Sequence, residues 1–192
     1  YALIMTFLTS WILFGVRSSI LPLYVIQDLG GTTTLVGIGF TVSALAQGLI
    51  LIRAGKFSDS AGRKKALSIG FIFIACGITT LILAKSIWFY LVAMLFLGIG
   101  GAYGNTGAAL VGDVIKGRSG RVIAVFQMAG DAGMMVGPIL LGFVSDLSNY
   151  RTSLIVSALA FSIALFLVID LPETRDIQNK SGSAPRIGEE PL

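Results

Sequence analysis

Histidine is absent from this 192-residue chain, and cysteine occurs once, at Cys76. The first absence excludes a histidine-based catalytic triad, a histidine-ligated metal and a histidine proton relay. The second excludes a disulfide framework and a cysteine metal cluster. Charge is scarce too: 12% of residues are charged and 55% are hydrophobic, whereas a soluble domain carries roughly 25% charged residues. With mean hydropathy +0.87, the chain cannot cover a water-facing surface. No phosphate-cradling Gly-rich Lys-Ser/Thr loop is found, so ATP drive within the chain is not expected. No signal peptide is legible, because the first apolar run is long and lacks a small-residue cleavage site. The chain opens on Tyr1, without Met, which carries the expectation of a fragment.

What the chain does hold is a series of apolar runs, each near the ~20 residues that cross a bilayer as a helix. Six spans are expected: Ala2 to Ile26, Thr33 to Ile52, Ala66 to Ala84, Ile87 to Val111, Val122 to Val144 and Thr152 to Ile169. They show no long alternation of period two, so a barrel is disfavoured. Helices then remain, since these satisfy their own backbone in lipid. The reading is an all-α membrane protein, with a six-helix transmembrane repeat over residues 1–170. The tail 171–192 is polar, with Ser, Gly and Pro, and is expected to be disordered.

The formal charge of +4 does not mark a nucleic-acid partner, because most basic residues fall in the breaks between spans. Arg53, Lys56, Arg63, Lys64 and Lys65 follow span two; Lys116, Arg118 and Arg121 follow span four; Arg175, Lys180 and Arg186 lie in the tail. The other side holds only Lys85 and Arg151. Positive loops stay inside, so both termini are expected in the cytoplasm. The short loops fit a prokaryotic inner (plasma) membrane. Glycine is abundant at 24 residues, with Gly98, Gly100, Gly101, Gly104 and Gly107 in span four alone. Small residues let membrane helices approach closely; tight packing and helices that rock past one another are compatible readings.

The break after span two reads GKFSDSAGRKKAL, Gly55 to Leu67. It is expected to be a cytoplasmic hairpin loop, with Gly62 permitting a tight turn or positive φ. Asp59 and Arg63 are four apart and can pair if the segment is helical. Positive-inside anchoring explains the basic residues but neither the Asp nor the spaced glycines. Gly55, Asp59, Gly62, Arg63, Lys64 and Leu67 resemble the signature loop of the major facilitator superfamily, between the second and third helices of a six-helix repeat. In span five, GDAGMMVGPILLG places Gly133, Gly137, Pro138 and Gly142 on a pattern similar to that family's fifth-helix Gly-Pro motif, often associated with antiporters. Leu141 stands where the pattern has the first of two glycines. Pro138 removes one backbone bond and favours a kink, and Gly133 and Gly137 offer a flat crossing surface. A gate or leak seal and a plain packing kink both fit. LPETR, Leu171 to Arg175, is similar to the Pro-Glu-Thr endings of facilitator repeats.

The resemblance implies two six-helix halves, twelve helices in all, with substrate held near the midplane between them. This chain would be one half, partnered by the other half in the same polypeptide or by a second copy. Three features point to the C-terminal half: the polar tail, the run RSSILPLYV in span one, and apolar Phe96 and Leu97 where fourth helices of proton antiporters often carry an Arg. The well-kept loop motif points to the N-terminal half.

An intramembrane charge costs roughly 2.5–3.5 kcal/mol on insertion scales, so each needs a reason. Arg17, well inside span one, fits a cavity-facing role: binding an anionic substrate group or pairing with a carboxylate; snorkelling is the alternative. Asp131 in span five could accept a proton, pair with Arg17, bind a cationic substrate or form a structural salt bridge. Gln47, Tyr103, Asn105 and Gln127 either line a cavity or bond a neighbouring helix. The resemblance implies that Asp113 joins Asp59 and Arg63 in a charge cluster that latches one conformation. The function expected is secondary active transport of a small solute by alternating access, as ion (proton)-coupled efflux; the alternative is facilitator-type uptake of a metabolite. A receptor, a scaffold and a membrane-embedded enzyme are weaker readings. No cofactor or metal is expected.

Overall fold

The computed structural model describes residues 2–104 and 120–169. Asn105, Asp113 and the tail 171–192 lie outside the described residues. Apart from the connections at 28–32, 62, 83–86 and 148–149, those described are helical, with no strand among them. Span one is built from α1 (Ala2–Ser10), a π-helix (Trp11–Ile20) and α2 (Leu21–Gln27). It is followed by α3 (Thr33–Ala61), α4 (Arg63–Ile82), α5 (Ile87–Gly104), α6 (Gly120–Leu147) and α7 (Tyr150–Ile169). Five helical stretches are long and apolar enough to cross a membrane, and α7 contributes a shorter apolar stretch, Tyr150–Phe166.

Local chemistry sets the ends. The Thr32 hydroxyl accepts from the Leu35 amide and caps α3, and the Asn149 side chain accepts from the Thr152 amide and caps α7. Both are N-cap bonds three residues into the helix. At the far end of α3 the structure departs from the expected loop. Residues 55–61 continue the helix, and the hairpin shrinks to Gly62, at φ 106° and ψ 148°. That conformation is essentially open only to glycine. Hydropathy tells where the bilayer stops, not where a helix stops. The run from Arg53 to Ala61 has no proline, so the helix continues into water. At 29 residues and 1.5 Å per residue, α3 is about 43 Å long, against ~30 Å of hydrocarbon.

Packing joins α5 to both α3 and α4, and α6 to span one, while α7 bridges α4, α6 and span one. A Cβ on Gly98 would meet the Ser43 carbonyl, and one on Gly133 the Phe7 carbonyl. Glycine is what lets these helices touch backbone to backbone. Phe71 and Phe161 meet across the α4–α7 contact, with centroids 5.1 Å apart and planes inclined at 57°. Trp11 Nε1 donates to Ser157 Oγ at 3.4 Å, and the Ser153 hydroxyl to the Leu141 carbonyl at 2.9 Å. At the end away from the basic break, the Tyr24 hydroxyl lies 3.3 Å from the Leu81 carbonyl. The least buried spans are α3 and α6. Leu49, Ile52, Met135 and Ile139 on them are exposed.

Candidate functional site

Arg17 is the fifteenth residue of the 25-residue span Leu3–Gln27, just past its middle. It lies in the π-helix, where the Leu21 amide bonds the Val16 carbonyl five residues back. Such wide turns are rare and frequently sit at functional sites. The guanidinium carbon stands 5.6 Å from the Phe40 ring centroid, within range of a cation–π contact. Its Nε is buried and unpartnered, as is Ser43 Oγ on α3. Among the described residues no carboxylate pairs with Arg17; an intramembrane cation is held there by one aromatic face.

Beside this site is Tyr90 on α5, fully buried, whose hydroxyl donates to the Val36 carbonyl at 2.9 Å. Its ring fills the space where a Cβ on Gly39 would sit. Phe40, Ser43 and Tyr90 were not singled out by sequence: aromatics and small residues inside an apolar span are the default of such spans. A sequence signal exists for Ser43 alone, a hydroxyl on the small-residue stripe Gly39, Ser43, Ala46.

Asp131 is not brought to Arg17. Span one and α6 run parallel: Gly133 is level with Phe7, and Gly137 with Trp11 and Gly15. Gly130 meets Thr6 and Ser10, so Asp131 is level with the stretch from Met5 to Ser10, about seven to twelve residues from Arg17 at the helix spacing. At about 1.5 Å per residue the axial separation is roughly 10–18 Å, and among the described residues no ion pair joins the two. This corrects the pairing expected as one option. Asp131 is exposed, as is Gln127 one turn earlier. Gln47 lays its amide 3.5 Å from where a Gly101 Cβ would be. The Tyr103 ring meets Phe57 edge-on at 6.3 Å. Both are thus nearer the basic end than the Arg17–Phe40 contact.

In the fifth-helix motif the glycines divide. Gly133 and Gly137 lie against the backbone of span one, and Gly142 faces open space. Pro138 sits inside α6. In the signature run, Arg63 Nη1 pairs with Asp59 Oδ1 at 3.1 Å and donates to Ser58 Oγ at 3.2 Å. Asp59 is largely exposed, and an exposed pair contributes only about 0–1 kcal/mol. A Cβ on Gly55 would meet nothing within 4 Å. The Lys64 carbonyl accepts from the Ser68 hydroxyl. No group of three potential metal ligands occurs among the described residues.

The family described as Major Facilitator Superfamily matches residues 2–189. The chain is 27% identical over 164 residues to "Multidrug resistance protein MdtG" of Proteus mirabilis (strain HI4320), covering 81% of this chain and 41% of that one. It is 29% identical over 170 residues to the protein of the same name in Escherichia coli O1:K1 / APEC, covering 81% and 40%. The chain thus spans about two-fifths of these relatives. Among solved structures, a peptide transporter POT in complex with sulfate is similar, at TM-score 0.76 and 19% identity, covering 91% of this chain and 37% of that one. A POT family transporter in complex with a thioalcohol-conjugated peptide also superimposes at TM-score 0.76 and 19% identity, covering 94% and 43%. These two likenesses concern the fold.

Proposed function

Because the chain belongs to the major facilitator superfamily, we propose that it forms one six-helix half of a secondary transporter that exports a small solute by ion-coupled alternating access. Residues 1–170 would be the transmembrane repeat and 171–192 a cytoplasmic polar tail. Both ends would face the cytoplasm, on the distribution of Lys and Arg. Substrate would sit between this half and the other. Membership implies transport and not catalysis.

The observation that carries the reading is the mid-span guanidinium of Arg17, with Nε buried and unpartnered. An unpaired cation at that depth favours an anion, and a substrate group or a carboxylate of the other half would supply it. The separation from Asp131 supports two stations. Arg17 would hold substrate, and Asp131 would take up and release a proton without being neutralised by Arg17. The relatives named as multidrug resistance proteins favour export of drug-like compounds.

The test is transport of a labelled drug-like solute by the full-length product in vesicles. Accumulation should collapse with a protonophore, and Asp131→Asn should abolish the dependence on the proton gradient. Normal transport by Asp131→Asn at every pH tested would remove the proposed role of Asp131. A second reading, facilitated uptake of an anionic metabolite, is favoured by the uncompensated charge on Arg17. It predicts equilibration that a protonophore does not change.

A further inference from the structure

A groove of about 480 Å³ runs along α4 and is lined by Ile72, Cys76, Thr79 and Leu83, with Phe89 and Phe96 of α5. Leu165 of α7 also lines it. None of its lining residues belongs to span one or α3, so it is distinct from the surroundings of Arg17. We propose that this groove seats one acyl chain of an anionic phospholipid, with the headgroup phosphate held at its mouth by Lys85 and Arg151.

The wall is apolar in fact as well as in name. The hydroxyls of Thr79 and Thr80 donate to the carbonyls of Ala75 and Cys76 at 2.9 and 2.7 Å, leaving no hydroxyl donor for a polar ligand. From Ile72 to Leu83 the groove follows α4 for eleven residues, about 16 Å. That is half of a ~30 Å hydrocarbon core, the depth of one leaflet. Its mouth lies at the break between α4 and α5, where Trp88 is 72% exposed, the place and residue type of an interfacial anchor.

Charge at the mouth matches a phosphate. Lys85 and Arg151 are the two basic residues assigned above to the side otherwise poor in cations. Arg151 Nε donates to the Ile82 carbonyl at 2.7 Å, which fixes this side chain beside Leu83. Both residues are exposed. Asp28 and Asp146 lie at the same end of the helices, yet among the described residues neither forms an ion pair with them. A positive-inside topology gives these two cations no part in orientation; phosphate binding gives them one.

The test titrates the full-length product in detergent with dioleoyl phosphatidylglycerol or dioleoyl phosphatidylcholine. Native mass spectrometry counts bound lipid, and alkylation of Cys76 reports occupancy of the groove. The anionic lipid should bind in preference and slow the alkylation. Lys85→Gln should weaken its binding about fivefold and Lys85→Gln with Arg151→Gln about 25-fold, at about 1 kcal/mol per cation. Lys85→Gln leaves the Arg151–Ile82 bond in place and so keeps the fold. Cys76→Trp, which fills an exposed position of the groove, should lower binding without touching either cation. Equal binding of both lipids overturns the headgroup assignment, and alkylation unaffected by bound phosphatidylglycerol overturns the groove. Neither readout depends on transport, so failure here leaves the transport reading intact, and the converse holds.

Discussion

At position 133 a methyl group has nowhere to go: it would land on the Phe7 carbonyl, backbone that cannot rotate aside. At position 142 it would meet nothing within 4 Å. Spacing along the chain makes the two glycines look alike, because a pattern records sequence distance and not which face meets a neighbour. Gly133→Ala is expected to destabilise the protein by about 1–3 kcal/mol through overpacking. Gly142→Ala should be neutral or stabilising by up to about 1 kcal/mol, from better helix propensity. Thermal unfolding in detergent separates them, and equal losses would refute the packing account. Arg17 was legible because a charge inside an apolar run stands out, while its companion Phe40 was not. Lysine lacks the flat face that stacks over an aromatic ring. Arg17→Lys should therefore keep only part of the transport rate and Arg17→Gln still less. Wild-type rates in Arg17→Gln would rule out a role in substrate binding.

Between α3 and α4 a single residue makes the corner. Gly62→Ala would force a side chain into a conformation costing about 1–3 kcal/mol. A matching loss of stability is the expected result, and none would mean that the corner relaxes freely. The Asp59–Arg63 pair contributes little to stability, so its exchange tests conformational coupling. Swapping the two charges should retain more transport than either single change, and equal loss in all three would remove support for direct pairing. Among the described residues the order of the membrane-spanning helices was legible from apolar runs, whose length answers to the bilayer. The extension of α3 was not, because helix propensity in water does not register as hydropathy. The π-helix was not legible either: WILFGVRSSI has the composition of an ordinary apolar helix, and its wide turns show only in which carbonyl each amide reaches.

Among the described spans of the molecule, α3 and α6 are the least buried, a distribution that fits a partner half. A native product near twice the 20.2 kDa of this chain is expected from intact mass. A mass near 20.2 kDa would instead require two copies, and Arg17 and Asp131 would then each be present twice in one cavity. The length of α3 has a mechanical consequence. A rigid helix about 43 Å long acts as a lever arm. Pivoting it by only 10° about its Thr33 end would sweep its tip, near Asp59, sideways by about 7 Å. That is well beyond the ~4 Å reach of an ion pair. A rocking motion too slight to open a wide path through the bilayer would still be amplified at this tip into the making or breaking of a charge contact.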